Sequence, residues 1–131
     1  MRKKVGEIRL TDKQENEEYQ VTIWGSVFKT DDGKTLGGIH FNIYKGSIDV
    51  YYPFVQQVLQ MCDGMKFKYV VDQYGTRYRA SYYGNLKDFD CNIILERLKN
   101  VQSYEDDRFI FELNITKDYD FVLESKMIRD L

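Results

Sequence analysis

Residues 65–83 alternate apolar and polar side chains on both sides of a turn at 72–75, and no other feature constrains the fold as much. A two-residue period is typical of strands that bury one face, so we predict a β-hairpin here. Its apolar positions are Met65, Phe67, Tyr69 and Val71 before the turn and Tyr78, Ala80 and Tyr82 after it. Both sets reach one core only in a register that gathers four basic residues on the other face: Lys66, Lys68, Arg77 and Arg79. We expect these like charges to repel each other across the strands unless a ligand neutralises them.

Four further strands and a second hairpin are predicted from the same alternation. The strands cover 5–10, 19–28, 39–44 and 48–52, and a turn at 45–47 separates the last two. Gly25 lies inside the long second strand and predicts a bend or bulge there. The second hairpin begins with Phe109–Ile115, turns at 116–118 and returns through Phe121, Leu123 and Met127.

Two segments have helical rather than strand periodicity. The first begins at Pro53, which suits a first helical turn, and ends at Asp63-Gly64, where Gly is a common C-terminal cap. Its apolar stripe is Phe54, Val55, Val58, Leu59 and Cys62. The second covers 85–101, with Asn85 or Asp88 predicted as its N-cap. The predicted fold class is therefore α+β and mostly antiparallel, in a single domain of 131 residues.

Composition predicts a cytoplasmic protein with no membrane association. No apolar run approaches the ~20 residues that cross a bilayer, and the basic N-terminus lacks the apolar region of a secretory signal. Cys62 and Cys91 are too few and too unevenly placed for a disulfide framework, so both are predicted to be reduced and structural. The acidic residues near the last hairpin lack the spaced acid and lysine of a magnesium nuclease. We therefore predict no cofactor, no metal and no enzymatic activity.

The order of elements between residues 19 and 84 resembles the oligonucleotide/oligosaccharide-binding (OB) fold, a five-stranded barrel. The matching features are the long strand Val21–Phe28 with Gly25 inside it, the short helix ending at Asp63-Gly64, and the hairpin turning at 72–75. The resemblance is one of pattern and covers about half the chain. It implies an OB-like barrel with one inserted helix over 19–84, followed by a C-terminal helix and β-hairpin over 85–131.

The resemblance also implies a ligand site across the second and third strands, between the loops 29–38 and 72–76. Single-strand recognition combines aromatic faces, on which bases stack, with cations that follow the phosphates. Eleven residues there have this chemistry: Trp24, Phe28, Lys34, His40, Tyr44, Tyr51, Lys66, Lys68, Tyr74, Arg77 and Arg79. The predicted function is binding of single-stranded DNA or RNA without catalysis.

Each of these residue types also has a structural interpretation. The basic residues of the hairpin could form a solvated face that keeps an edge strand soluble. Trp24 and Phe28 could pack under the C-terminal elements, and a single histidine such as His40 is more often a hydrogen-bonded surface residue than a base or ligand.

The charge distribution supports a second hypothesis. Residues 85–131 contain eleven acidic and seven basic side chains, whereas 19–84 contain five acidic and seven basic ones. An acidic C-terminal surface could contact a protein partner, as in a small inhibitor or adaptor from a phage or mobile element. An open basic and aromatic groove would favour a nucleic-acid-binding protein. A covered groove beside an exposed acidic patch would favour a protein-interaction module.

Overall fold

The computed structural model describes residues 2–44 and 48–129, so the predicted turn at 45–47 lies outside the described residues. The described chain forms a seven-stranded antiparallel sheet in the order β4-β5-β3-β2-β1-β7-β6. The strands are β1 Arg2–Asp12, β2 Glu17–Lys29, β3 Thr35–Ile43, β4 Lys68–Tyr74, β5 Arg77–Asn85, β6 Tyr104–Glu105 and β7 Phe109–Ile115. The helices are α1 Tyr52–Met61, α2 Cys91–Lys99 and α3 Phe121–Arg129, and a 3₁₀ turn, Ile48–Tyr51, precedes α1.

The predicted α+β class with mostly antiparallel strands is confirmed, whereas the five-stranded OB-like barrel is not. The sheet is open, with β4 and β6 at its edges. The strand predicted over 48–52 is wrong, because Ile48–Tyr51 forms the 3₁₀ turn that leads into α1. Tyr51 packs edge-on against Tyr19, with 6.4 Å between the ring centroids. Because this strand is missing, β3 pairs directly with β5.

The second strand of the predicted C-terminal hairpin is also wrong, because Phe121–Arg129 is helix α3. The Asp120 carboxylate accepts hydrogen bonds from the backbone N–H groups of Val122 and Leu123, at 3.0 and 3.2 Å. Asp and Asn are preferred at a helix start because they satisfy N–H groups that have no partner within the helix. β7 then pairs with β1, opposing Phe111 to Leu10, so the C-terminal part extends the same sheet.

Helix α2 begins later than predicted. Residue Asn85 still belongs to β5, and the N-cap is Asp90 instead of Asn85 or Asp88. The Asp90 side chain accepts a 3.1 Å hydrogen bond from the backbone N–H of Ile93. Four side chains of the helix are buried: Cys91, Ile94, Leu95 and Leu98.

The bulge predicted as one alternative at Gly25 is not in β2, since consecutive residues of β2 from Val21 to Lys29 pair one for one with β3. The bulge lies in β1 instead, between Lys4 and Gly6. Gly25 faces the helices, and a Cβ atom added there would stand 3.2 Å from ring carbons of both Tyr119 and Phe121. Glycine in a strand often marks close approach of another group, and here that group is the aromatic start of α3.

All three helices cover one face of the sheet. Phe54 of α1 packs edge-on against Phe41 of β3 at 5.4 Å, and Phe121 of α3 approaches Gly25 of β2. The other face carries none of the described helices. Phe28 and Tyr74 are exposed on it, whereas Ser26 and Ser81 are buried. Among the described residues, no helix combines the length and the apolar character that a membrane span requires.

Candidate nucleic-acid interface

The helix-free side of strands β4, β5, β3 and β2 is called the open face here, and the strand registers define its membership. β4 opposes Tyr74 to Arg77 and Asp72 to Arg79 of β5, and β5 opposes Arg79 to Asn42 of β3. β3 in turn opposes His40 to Trp24 of β2. Because directly opposed residues of an antiparallel pair share a face, these side chains all lie on one surface. The open face therefore includes Thr22, Trp24, Ser26, Phe28, His40, Asn42, Lys68, Val70, Asp72, Tyr74, Arg77, Arg79, Ser81 and Tyr83.

The predicted parity of the β4–β5 hairpin is confirmed, but the predicted charge repulsion is wrong. Tyr69 and Val71 oppose Tyr82 and Ala80 on the covered face. On the open face, each basic residue opposes an aromatic or acidic one: the pairs are Lys68–Tyr83, Arg79–Asp72 and Arg77–Tyr74. Lys66 precedes β4 and is not part of the ladder. The basic residues thus share a face without facing each other.

Three arginines lie over aromatic rings on this side of the sheet. The Cζ atom of Arg2 stands 4.5 Å from the Trp24 ring centroid, that of Arg77 5.2 Å from Tyr44, and that of Arg79 5.3 Å from Tyr74. Guanidinium groups within about 6 Å of a ring are attracted to its π face, by about 0.5–1 kcal/mol at exposed sites. The open face therefore carries its positive charge directly beside its exposed rings.

These cations are only weakly paired with acids. Within the described chain, no carboxylate forms an ion pair with Arg2, Arg77 or Lys68. Arg79 has one long contact to Asp72, at 3.4 Å, and donates a 2.9 Å hydrogen bond to the Tyr74 hydroxyl. Its Nε atom is buried and has no partner among the described residues. The guanidinium groups are therefore available to an anionic ligand.

Trp24 and Phe28 do not lie under the C-terminal elements, which pack on the other side of the sheet. Trp24 is half-buried and Phe28 is exposed. The Trp24 indole N–H donates to the Thr22 hydroxyl at 2.9 Å, and that hydroxyl donates to the Tyr44 hydroxyl at 3.3 Å. This chain of hydrogen bonds fixes the orientation of two rings on adjacent strands.

Tyr51 is wrong as a surface stacking residue, because its side chain is only 3% exposed. Burial raises the pKa of its hydroxyl far above the usual value. Tyr44 and Tyr74, by contrast, are both exposed. Of the three tyrosines predicted for the site, the structure places two on the accessible surface.

His40 lies at the centre of the face between two serines. Its Nε2 atom is 2.7 Å from Ser26 Oγ, and its Nδ1 atom is 2.8 Å from Ser81 Oγ. Burial, aided by the positive charges of Arg79 and Arg2, lowers the pKa of the imidazole to about 4. The ring is therefore neutral at pH 7 with both nitrogens engaged, as expected for a hydrogen-bonded residue rather than a base or ligand.

Lys34 and Lys66 lie at one end of the open face, beside Lys68. They line a cavity of about 680 Å³ between the β2–β3 loop and the start of β4. Asp31, Asp32 and Asp88 line the same cavity, and Lys34 pairs with Asp32 at 3.7 Å. Because acids offset the lysines here, the opposite end of the face, where the arginines lie, is the more positive one.

At that opposite end a second cavity, of about 290 Å³, opens beside the β4–β5 turn. Its lining includes Arg2, Asn42, Tyr44, Tyr74, Arg77 and Arg79. Arg2 and Asn42 were not among the residues predicted from the sequence. Asn42 could have been found, since it shares the strand parity of His40 and Tyr44. Arg2 could not, because only the β1–β2 pairing brings it to Trp24.

The acids of the C-terminal part are mostly used within the fold. Asp90 and Asp120 cap helices, and Asp118 pairs with Lys99 at 2.6 Å. Glu124 is largely buried and pairs with Lys3 at 3.0 Å. Among the described residues, no cluster of His, Cys, Asp or Glu has the arrangement of a metal site. Within residues 85–129, the surface is therefore less available for a basic partner than the composition indicates.

The cysteines are buried free thiols. Burial raises the pKa of Cys62 to about 11 and raises that of Cys91 further. Both are protonated at neutral pH and contribute to packing, since the thiolate is the reactive form.

Comparisons of the chain with protein-family models, with curated proteins and with solved structures found no match.

Proposed function

We propose that the protein binds single-stranded nucleic acid on the open face of its sheet and does so without catalysis. The observation that carries the proposal is the set of three arginine–aromatic pairs on a helix-free surface. Bases stack on exposed rings with about 1–3 kcal/mol each, and cations beside the rings contact the phosphates. Base stacking on a protein ring needs an unpaired base, which favours a single strand over a duplex.

Each arginine has a reason to move to a phosphate when a strand binds. In the free protein its guanidinium lies on a ring, a contact of about 0.5–1 kcal/mol. A charge-assisted, bidentate hydrogen bond to phosphate is stronger than a neutral hydrogen bond. It also gives the N–H groups of the guanidinium acceptors. Such a shift frees the ring of Tyr44 or Tyr74 for a base at the same time. In the proposed complex, a base therefore replaces the guanidinium group as the stacking partner of each ring.

The resemblance to the OB fold supports this proposal only through the position of three residues in the sheet. Trp24, Phe28 and His40 belong to the strands that would be the first and second of the proposed barrel, and they lie on the open face. A flat open sheet offers bases the same kind of surface as a barrel wall. A reduced, cytoplasmic setting remains part of the proposal, and the free thiols of Cys62 and Cys91 are compatible with it.

A protein-interaction module is the second candidate, and an apolar patch favours it more than the acidic residues do. Three side chains of α3 are exposed although they are apolar: Val122, Leu123 and Met127. Exposed apolar clusters mark contact surfaces in many proteins. This patch lies on the helical layer, so a variant of the open face leaves it intact.

Replacing both Arg2 and Arg77 by alanine should weaken binding to single strands and reduce its salt dependence. Each lost phosphate contact lowers the slope of log affinity against log salt by about 0.7 for single strands, so the double variant should lose about 1.4. The measurement is fluorescence anisotropy with labelled oligo-dT and oligo-U of about 20 nucleotides, at about 50 and about 200 mM salt.

The matched control is Arg97→Ala, which removes the same kind of charge from α2 on the other layer. It should bind as the unmodified protein does. Wild-type affinity and slope in the Arg2→Ala/Arg77→Ala variant would contradict the proposal. An equal loss in Arg97→Ala would show that net charge, and not the open face, determines binding.

A further inference from the structure

The cavity beside the β4–β5 turn has the size and walls for one flat aromatic ring. Tyr74 opposes Arg77 across β4 and β5, and Tyr44 follows Ile43, which opposes Tyr78. The two tyrosines therefore flank Arg77 in one row across three strands, which are about 4.8 Å apart from one to the next. The volume of about 290 Å³ lies at the small end of the range of ligand pockets, about 300–1,000 Å³, so the cavity suits a small group such as one base.

Asn42 lines this cavity, and its side-chain amide has no hydrogen-bond partner among the described residues. Asn42 lies on the central strand β3, between Thr22 of β2 and Arg79 of β5. The Thr22 hydroxyl is already engaged with Trp24 and Tyr44. In the part of the chain that the structure describes, the Asn42 amide makes no hydrogen bond, although the residue is half-buried. A rigid amide with a free donor and a free acceptor is suited to reading the edge of a base.

The remaining polar lining consists mainly of hydrogen-bond donors. Arg2, Arg77 and Arg79 each present a guanidinium, which donates and cannot accept. The Arg79 Nε atom is buried and unpartnered among the described residues, so the site already lacks acceptors. Arg2 and Arg77 are proposed to contact phosphates, so a base that enters this cavity is favoured if its edge presents acceptors to Arg79 and a donor to the Asn42 carbonyl oxygen.

We propose that this cavity binds guanine, so that the single strands recognised by the open face contain a guanine at one position. This inference rests on the proposed function and gives it a sequence preference. Guanine offers the O6 and N7 acceptors that arginine recognises most often, and its N1–H and amino groups can donate to Asn42.

The other bases fit this lining less well. Adenine and cytosine present amino donors where the guanidinium groups need acceptors. Thymine and uracil present two carbonyl acceptors and an N3–H donor, but they have one ring and lack the N7 acceptor that lies beside O6 in guanine. Since one good bidentate pair discriminates by about 1–3 kcal/mol, guanine should be preferred over adenine by roughly 5- to 150-fold.

The test uses oligo-dT of about 10 nucleotides in which one central position is dT, dG, dA or 7-deaza-dG, at a fixed salt concentration. We expect the dG oligomer to bind most tightly, and 7-deaza-dG, which lacks the N7 acceptor, to lose most of that gain. In Asn42→Ala the ratio of dG to dA affinity should fall towards one, because the dG oligomer loses more affinity than the dA oligomer. Asn114→Ala, on the same side of the sheet in β7, should keep the ratio.

The outcomes separate this inference from the proposed function. Equal affinity for the dG and dA oligomers, with oligo-dT still bound, would overturn guanine recognition and leave single-strand binding standing. A uniform loss for all oligomers in Asn42→Ala would also overturn it, because the residue would then act on the site as a whole. If no oligomer binds, oligo-dT included, both proposals are wrong.

Discussion

Replacing Phe121 by alanine should lower the free energy of unfolding by about 3–5 kcal/mol, the usual cost of truncating a buried Phe. Phe121 is 0% exposed, and its ring lies 4.5 Å, centroid to centroid, from the ring of Tyr119. It also packs on Gly25 of β2, so its loss leaves a cavity between α3 and the sheet. Urea denaturation followed by circular dichroism measures the change.

Leu123→Ala is the matched control on the same helix. Leu123 is 55% exposed, and surface substitutions of this kind usually change stability by no more than about 0.5 kcal/mol. In a strand, positions 121 and 123 would share one face, so both substitutions would be costly. In a helix they point about 200° apart, so only one is costly. Large and similar losses in both variants would contradict helix α3.

Lowering the pH from 6.5 to 4 should destabilise the protein by on the order of 3 kcal/mol through His40 alone, its pKa being lowered from 6.5 to about 4 in the fold. Above pH 6.5 the imidazole is neutral in both states and contributes no pH dependence. Between the two values the unfolded chain binds a proton that the folded protein excludes, so stability falls as the pH falls. Below about 4 both states are protonated, and the His40 contribution stops changing.

His40→Gln isolates this effect, because glutamine retains an amide for Ser26 and Ser81 but does not titrate. His40 is the single histidine of the chain. The carboxyl groups of Asp12, Asp106, Asp118 and Asp120 have pKa values below the usual 3.8, because of ion pairs or backbone hydrogen bonds. Their stabilisation is present above pH 3.8 and is lost below it, outside the His40 window. Urea denaturation at successive pH values gives the free energy of unfolding as a function of pH. Between pH 4 and 6.5 its slope should be smaller in His40→Gln than in the unmodified protein. Equal slopes would contradict the assignment of this pH dependence to His40.

Much of the open face could be predicted from the sequence, since side-chain parity is a local property. The alternation in 65–83 placed Lys68, Arg77 and Arg79 opposite the core face, and the structure agrees. The alternation in 39–44 did the same for His40. Successive side chains of a strand point to opposite faces whatever the partner strand is, so this information is available without knowing the fold.

Segments whose pattern fits two structures could not be assigned in this way. Phe121, Leu123 and Met127 alternate as a strand would, yet Phe121, Glu124, Ser125 and Ile128 have the spacing of a buried helical face. The short alternation around Tyr51 likewise predicted a strand over 48–52, where the structure has a 3₁₀ turn. In both cases packing against a distant element, β2 for Phe121 and Tyr19 for Tyr51, selected the helical alternative.

The sequence by itself determined the approximate positions of β1 to β5 and β7, and which of their side chains share a face, because these follow from the two-residue period of the backbone. Only the tertiary structure decided that β3 pairs with β5, that β7 joins β1, and that the sheet stays open. Strand order depends on competition among distant segments to satisfy backbone groups and bury apolar faces, and no local pattern encodes its outcome. The same competition brings Arg2 to Trp24 and leaves the Asn42 amide without a hydrogen bond in the described part of the chain, so the cavity proposed to bind guanine could not be found from the sequence.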